Sequence, residues 1–393
     1  MTRPLEWHIF GPMNSKERMA AAMRREIPDR VPVMCQMSIG HMLLQTGYSP
    51  FEFWFSREKF AEGLLRLRRQ YAFDGILVSL HGHAPDWERG ILRVVREEGR
   101  ETVHWKDGGR TVFPADDLPL HYPVEPGSFP SIADFDPASI PERLDFIPVS
   151  QGLEFNIDPG HAYDILADMI AAAGRDFSIH GEVTSPFDYF LNLFGFSAGF
   201  MALAEEPAKA GDILLRLAEG VAKIALGQAR LGVDAIKISS PYAGAGFLSP
   251  RHYREFVLPC ERRIAESVRD LPVPIYTHTC GAIGDRLEIM IEAGVAGLEC
   301  LDPPPLGNVE LEEAKRRVGG SVFIKGNIDP VHTLLAGTRE TIADDVRRRL
   351  GIGMPGGGFI LSTACSIAPH TPRENVEILA SLAADHSGYP YSE

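Results

Sequence analysis

The chain has 393 residues, of which 45% are hydrophobic and 23% charged, the balance of a globular protein that folds in water. That length accommodates one large α/β barrel or two ordinary domains. A net charge of −14 with scattered basic residues excludes a broad nucleic-acid footprint. No run approaches the roughly 18 uninterrupted apolar residues of a membrane helix, and five cysteines (35, 260, 280, 300 and 365) are too few and too odd in number for a disulfide framework.

The opening stretch, MTRPLEWHIFGPMNSKERM, is polar and broken by proline and glycine, so no secretory leader is expected and the cysteines read as reduced, cytoplasmic thiols. From there, strand-like runs alternate with helix-like runs. RVPVMCQM (30–37) leads to the helical pattern of 56–72, and GILVSLHG (75–82) follows. FSIHGEV (177–183) precedes a helix-rich stretch that ends near Gly232, and DAIKISS (234–240) leads to 249–270. In that last segment Ser249 is placed to cap a helix with Pro250 at its first position. PVPIYTH (272–278), VAGLECLD (295–302), SVFIKGNID (321–329) and GGFILSTAC (357–365) are each followed by a helical pattern. Short, continuously apolar runs are those of parallel strands covered on both faces. Eight such units in one undivided chain (1–393) favour a (β/α)8 TIM barrel over a doubly wound open sheet.

One stretch, 84–150, breaks the rhythm. ILRVVREEGRETVHWKDGGRTVFP alternates polar and apolar residues, with turn signals at Glu98-Gly99 and Lys106-Asp107-Gly108-Gly109. It predicts a small antiparallel meander inserted after the second strand, with the Pro/Asp-rich remainder (114–150) running as a surface loop.

In a barrel the chemistry gathers at the C-terminal strand ends. Those ends supply His81 and His83, Glu182, Tyr242, His278 and Cys280, Asp302, Asn327, and Cys365. Side chains alternate along a strand, so His278 and Cys280 of YTHTCG (276–281) point to one side and can grip a common atom. With Cys365 they form a set of one imidazole and two thiols, the number of protein ligands a catalytic zinc takes. The competing reading is a hydrogen-bonded histidine beside small buried thiols. Glu182 is a fourth, displaceable ligand or a proton acceptor, or else a salt-bridged carboxylate. His81 and His83 read as substrate-binding groups or loop hydrogen-bonders. Asp302 and Asn327 are placed to orient ligands or substrate, and Tyr242 sits in a glycine-rich mouth loop, YAGAGF.

The segments IYTHTCG, IKGNIDP and STACSIAPHTPRENV, with SPRHYREFVLPCERRI, resemble the uroporphyrinogen decarboxylase superfamily, best from about residue 234 to the end. The resemblance implies a (β/α)8 fold. The decarboxylases proper carry an arginine-rich RQAGR signature near the first strand and an aspartate in an FSDI segment at the second. This chain has MCQMSIGHM and ILVSLHGHA there. It is instead similar to the cobamide-dependent methyltransferase branch, whose His-x-Cys and later Cys bind zinc. That implies His278, Cys280 and Cys365 as zinc ligands, and a cobamide carried by a separate corrinoid protein, since no DxHxxG anchoring motif is present. The implied activity is methyl transfer between a small methoxylated or methylated compound and that corrinoid protein, with zinc polarising the leaving oxygen of an O-demethylation. Alternatives are a methylcobamide:thiol methyltransferase, a metal-free decarboxylase, a zinc hydrolase using Glu182, and a scaffold without catalysis; a homodimer is left open.

Overall fold

The computed structural model describes residues 13–79, 85–125, 127–149 and 153–386. Seven parallel strands form its central sheet: β1 (Gly75–Val78), β8 (Ser178–Thr184), β9 (Ala235–Ser239), β10 (Ile275–Thr279), β11 (Gly297–Cys300), β12 (Phe323–Ile328) and β13 (Phe359–Thr363), in that order across the sheet. Between β1 and β8 in the chain lie a four-stranded antiparallel sheet, β2 (Ile91–Glu97) to β3 (Arg100–Trp105) to β4 (Arg110–Pro114) to β5 (Leu120–Tyr122), and a two-stranded ladder of β6 (Phe146–Val149) and β7 (Leu153–Asn156). The 114–150 run is therefore not all surface loop. Leu120–Tyr122 pairs with β4, Phe146–Val149 pairs with β7, and Ile132, Leu144 and Ile147 are buried. Apolar residues spaced among its prolines and aspartates find a core to enter.

The first expected strand is present as an extended segment rather than a regular ladder. Met34 N donates to Leu361 O and Leu361 N to Pro32 O, while Asp74 N donates to Val33 O. The segment thus joins the two edges of the seven-stranded sheet, β13 and β1. Pro32 has no N–H to extend the pairing.

Side-chain parity organises the inside of the curl. Ile179, Ile236, Ile238, Ile275, Leu298, Ile324 and Leu361 point outward into the core shared with the helices. Met34, Leu77, Ala235, Tyr276, Phe323 and Ile360 point inward and form an apolar plug, closed by Met19, Ala22 and Met23 of the helix Ser15–Met23. His180 stands level with this plug, opposite Leu77 and Ala235. One inward position further along, the strands turn polar: Lys237, His278, Glu299, Lys325 and Ser362 are all buried, with Glu182 of β8 opposite Lys237. Parity at a two-residue period thus places an ionic layer directly above the plug.

Helix starts follow the expected chemistry. Ser249 accepts a hydrogen bond from His252 N with Pro250 next to it. Pro259 then has no N–H for the carbonyl four residues back, and the preceding turn widens to a π-helix at Tyr253–Val257. Among the described residues no single helix is long and apolar enough to cross a membrane.

Candidate metal centre

Strand register builds the centre. His278 stands opposite Glu299 on β11, Glu299 opposite Lys325 on β12, and Glu182 of β8 opposite Lys237 of β9. Neighbouring parallel strands therefore present opposite charges to one another. Glu299 Oε1 takes Lys325 Nζ, and its Oε2 lies 3.0 Å from His278 Nδ1. Lys237 Nζ pairs with Glu182 Oε1 at 2.6 Å, lies 3.9 Å from Glu299 Oε2, and donates to Gln36 Oε1 at 2.6 Å. Burial pushes the Glu299 carboxyl up, but Lys325 and Lys237 outweigh it and hold the group well below the usual carboxylate range. The two lysines and two glutamates balance one another in charge.

With Nδ1 committed to Glu299, the other ring nitrogen faces the sulfurs. His278 Nε2 is 3.2 Å from Cys280 Sγ, and Cys280 Sγ is 3.8 Å from Cys365 Sγ. All three ligand atoms lie within 4.8 Å of one another. A tetrahedral zinc with ordinary Zn–S and Zn–N bonds would place its sulfurs about 3.8 Å apart and sulfur and nitrogen about 3.5 Å apart. The donor set fits that metal. Burial works to lower the His278 pKa, but Cys280 and Glu299 outweigh it and hold it well above the ordinary value.

Asp302 lies beside this set. Its Oδ2 accepts Gly281 N at 2.6 Å, while Oδ1 is buried with no hydrogen-bond partner. Its approach is set by Cys300 and Leu301, whose φ angles of +82° and +56° lie in the left-handed region. Such conformations cost roughly 1–2 kcal/mol for each non-glycine residue and concentrate at functional sites. Cys280, Cys300 and Asp302 form a second group within metal-ligand spacing.

The other sequence-predicted residues divide. Glu182 lines the neighbouring cavity while ion-paired to Lys237. Tyr242 lines it too, edge-on to Phe196 and Phe247. Its glycine-rich loop is tied down, with Ala245 N donating to Ala282 O at 2.8 Å. Asn327 is buried away from that cavity. It donates to Leu301 O at 2.8 Å and accepts from Arg349, bracing the β11 turn. His81 and His83 lie outside the described residues. Cys35 and Cys260 are buried in the outer core, and Asp329 caps the next turn by accepting Val331 N and His332 N.

The cavity has a volume of about 720 Å³ and adjoins the centre through Glu182, Ser239 and Ser366, the last next in sequence to Cys365. Trp54, Phe129, Phe196 and Tyr242 supply aromatic surface. Its charged lining among the described residues is Asp117, Glu182 and Asp188, with no lysine or arginine. Sequence reading passed over Lys237, His180 and Asp188. A lysine inside the apolar run AIKISS was the available signal, since a buried lysine demands a carboxylate partner.

The model for the family described as uroporphyrinogen decarboxylase (URO-D) matches residues 127–386. The chain is 30% identical over 155 residues to the methylcobamide:CoM methyltransferase MtbA of Methanosarcina acetivorans, covering 39% of this chain and 43% of that protein. It is 38% identical over 172 residues to a uroporphyrinogen decarboxylase of Saccharopolyspora erythraea, covering 42% and 46%. The matched stretch thus spans under half the length of each of these curated relatives. A solved methyltransferase from Methanosarcina mazei superposes with a TM-score of 0.69 at 19% identity, covering 95% of this chain and 99% of that one.

Proposed function

The chain belongs to the uroporphyrinogen decarboxylase family, and from that premise we propose that it is a zinc-dependent methyltransferase of the cobamide-linked branch. It moves a methyl group between a small methoxylated or methylated compound and a separate corrinoid protein, in the direction of O-demethylation. The observation that carries this reading is the convergence of His278, Cys280 and Cys365 beside a large aromatic-lined cavity. The seven parallel strands with the 32–37 segment read as the eight staves of a (β/α)8 domain, and the antiparallel strands as its insert.

Zinc held there supplies Lewis-acid polarisation of the oxygen that the methyl leaves, and the partner's cobamide supplies the methyl acceptor. This chain's residues do the rest. Glu299 fixes the His278 ring through Nδ1, and Asp302 holds the Gly281 amide behind Cys280. The cavity wall of Trp54, Phe196 and Tyr242 excludes water from the reacting oxygen. Glu182, charge-neutralised by Lys237, closes the floor between cavity and centre. His81 and His83 remain proposed substrate contacts, and the protein is proposed to act in the cytoplasm.

Transfer to a thiol is the second reading, favoured by the similarity to MtbA, a methylcobamide:CoM methyltransferase. An anionic thiol finds no cation in the described cavity lining, and neither does a polycarboxylated porphyrinogen. The test is metal content of the purified protein beside Cys280→Ser and Cys365→Ser, with methyl transfer from methoxyarenes to a Co(I) corrinoid as the activity. The expected result is about one zinc per chain, lost in both variants together with transfer. Zinc that survives both substitutions, or transfer that survives its removal, would overturn the reading.

A further inference from the structure

Asp188 is the one buried carboxyl on the described cavity wall that no cation accompanies. It is 9% exposed and sits one turn into the helix Pro186–Phe194, which starts directly after β8. Ser185 Oγ donates to its Oδ2 at 2.6 Å, and Asp188 N returns a bond to Ser185 Oγ at 3.3 Å. This reciprocal cap employs one carboxyl oxygen and leaves Oδ1 for a cavity ligand. The two other acids of the lining are accounted for: Glu182 is paired with Lys237, and Asp117 is exposed at the rim.

A buried acid without a cation has two ways to be satisfied: it keeps its proton, or a cationic ligand pairs with it. Here burial and the neighbouring Glu182 push its pKa up to about 7, against the hydrogen bonds from Ser185 and its own amide. A carboxylic acid that keeps its proton is a hydrogen-bond donor. The surrounding wall is aromatic and aliphatic, with Trp54, Leu191, Phe196 and Tyr242 among its residues.

We propose that Asp188 is the specificity-determining residue of this cavity. Its carboxylic acid donates a hydrogen bond to an oxygen of an uncharged aromatic ligand, and the described lining, which has no lysine or arginine, rejects anions. The inference rests on the methoxyarene reading above and deepens it. The acid and the zinc ligands then act on separate parts of the ligand, Asp188 on a ring hydroxyl and the metal centre on the methoxy group.

The test is direct binding to the zinc-loaded full chain by calorimetry, without any methyl acceptor. The probes are ortho-methoxyphenol, methoxybenzene, meta-methoxybenzoate and phenyltrimethylammonium. The expected result is that ortho-methoxyphenol binds tightest of the four and that Asp188→Ala weakens it about tenfold, the cost of one lost buried hydrogen bond. Methoxybenzene, which has no hydroxyl to present, should bind both proteins alike, and Asp188→Asn, which keeps a donor, should hold most of the affinity. Tighter binding of the benzoate or the ammonium would overturn the proposal. So would an equal loss for methoxybenzene in Asp188→Ala, which would mark a purely structural cap. If this binding pattern holds while no methyl reaches a Co(I) corrinoid, the proposed reaction fails and the assignment of Asp188 stands. If transfer occurs while the pattern is absent, the assignment fails alone.

Discussion

Glu299 serves two masters, a histidine of the candidate metal centre and a buried lysine that has no other carboxylate at comparable range among the described residues. Glu299→Gln keeps the shape and removes the charge. Loss of a partner that orients a metal-binding histidine costs about 10- to 100-fold in metal affinity, and leaving Lys325 unpaired in the interior costs about 3–5 kcal/mol of stability. Chelator competition and urea unfolding on the same variant measure the two effects separately. The pH dependence follows in sign. The folded pKa of Glu299 lies below its unfolded value near 4.5, so its contribution is complete above that pH and is lost as pH falls through the folded pKa. The parent should lose urea resistance on acidification below pH 4.5, and Glu299→Gln should show a shallower decline. At this scale the candidate ligand set was partly legible in the sequence. Parity along YTHTCG puts His278 and Cys280 on one side, but nothing in the spacing of Cys365 says that it meets them. That contact depends on how β13 and β10 lean across the mouth, a property of closure. Asp188 was not legible either, because Ser-x-x-Asp after a strand reads as a helix cap, and the cavity it faces is formed by distant segments.

The strand ends are held in position by helices and loops that carry no ligand themselves. Glu261, on the helix Leu258–Ser267, is fully buried and accepts hydroxyls from Ser240, Tyr253 and Thr277. Thr277 precedes His278, so this carboxylate bolts the helix layer to β10 from its outer side. Glu261→Leu strands three buried hydroxyl donors, each costing about 1–3 kcal/mol when left unmade. A clear fall in the thermal midpoint is expected, whereas Glu261→Gln should lose much less. On the inner side the βα loop after β9 lies hard against the ligand loop: a Cβ on Gly244 would sit 2.4 Å from Cys280 O. Gly244→Ala must therefore shift the Cys280 loop, at about 1–3 kcal/mol for overpacking. Differential scanning calorimetry with and without added zinc checks this, with the larger drop expected in the zinc-bound form. The order of strands and helices was readable from the apolar runs and their caps, Ser249-Pro250 among them. The 114–150 region was misread because proline and aspartate dominate its composition, while its burial rests on single apolar residues such as Ile132 and Leu144.

Closure of the sheet is the property on which the centre depends, since Cys365 follows β13 and His278 lies on β10. The seam between the 32–37 segment and β1 has few ladder bonds, and its fastening is ionic. Asp74 is fully buried just ahead of β1. Its Oδ1 accepts from Arg18 at 2.7 Å and from Arg30 at 2.9 Å, and its Oδ2 accepts from Arg30 at 2.9 Å and from Val33 N at 2.8 Å. One carboxylate thus ties together the plugging helix, the 32–37 segment and the first regular strand. Removing it leaves buried Arg18 with Asp29 and the Met13 carbonyl as its remaining partners and leaves the Val33 amide without an acceptor. Breaking a buried ion cluster from one side costs about 3–5 kcal/mol, a large fraction of the 5–15 kcal/mol that holds a typical domain. Asp74→Ala should lower the urea midpoint accordingly. Asp74→Asn, which still accepts from Val33 N and one arginine, should fall between the variant and the parent. The informative comparison is with zinc. If the seam sets the distance between Cys365 and His278, Asp74→Ala lowers zinc affinity although Asp74 lies at the opposite end of the strands from the candidate centre. Unchanged zinc affinity alongside the lost stability would show that the two ligand loops are held locally and that closure matters to the fold alone.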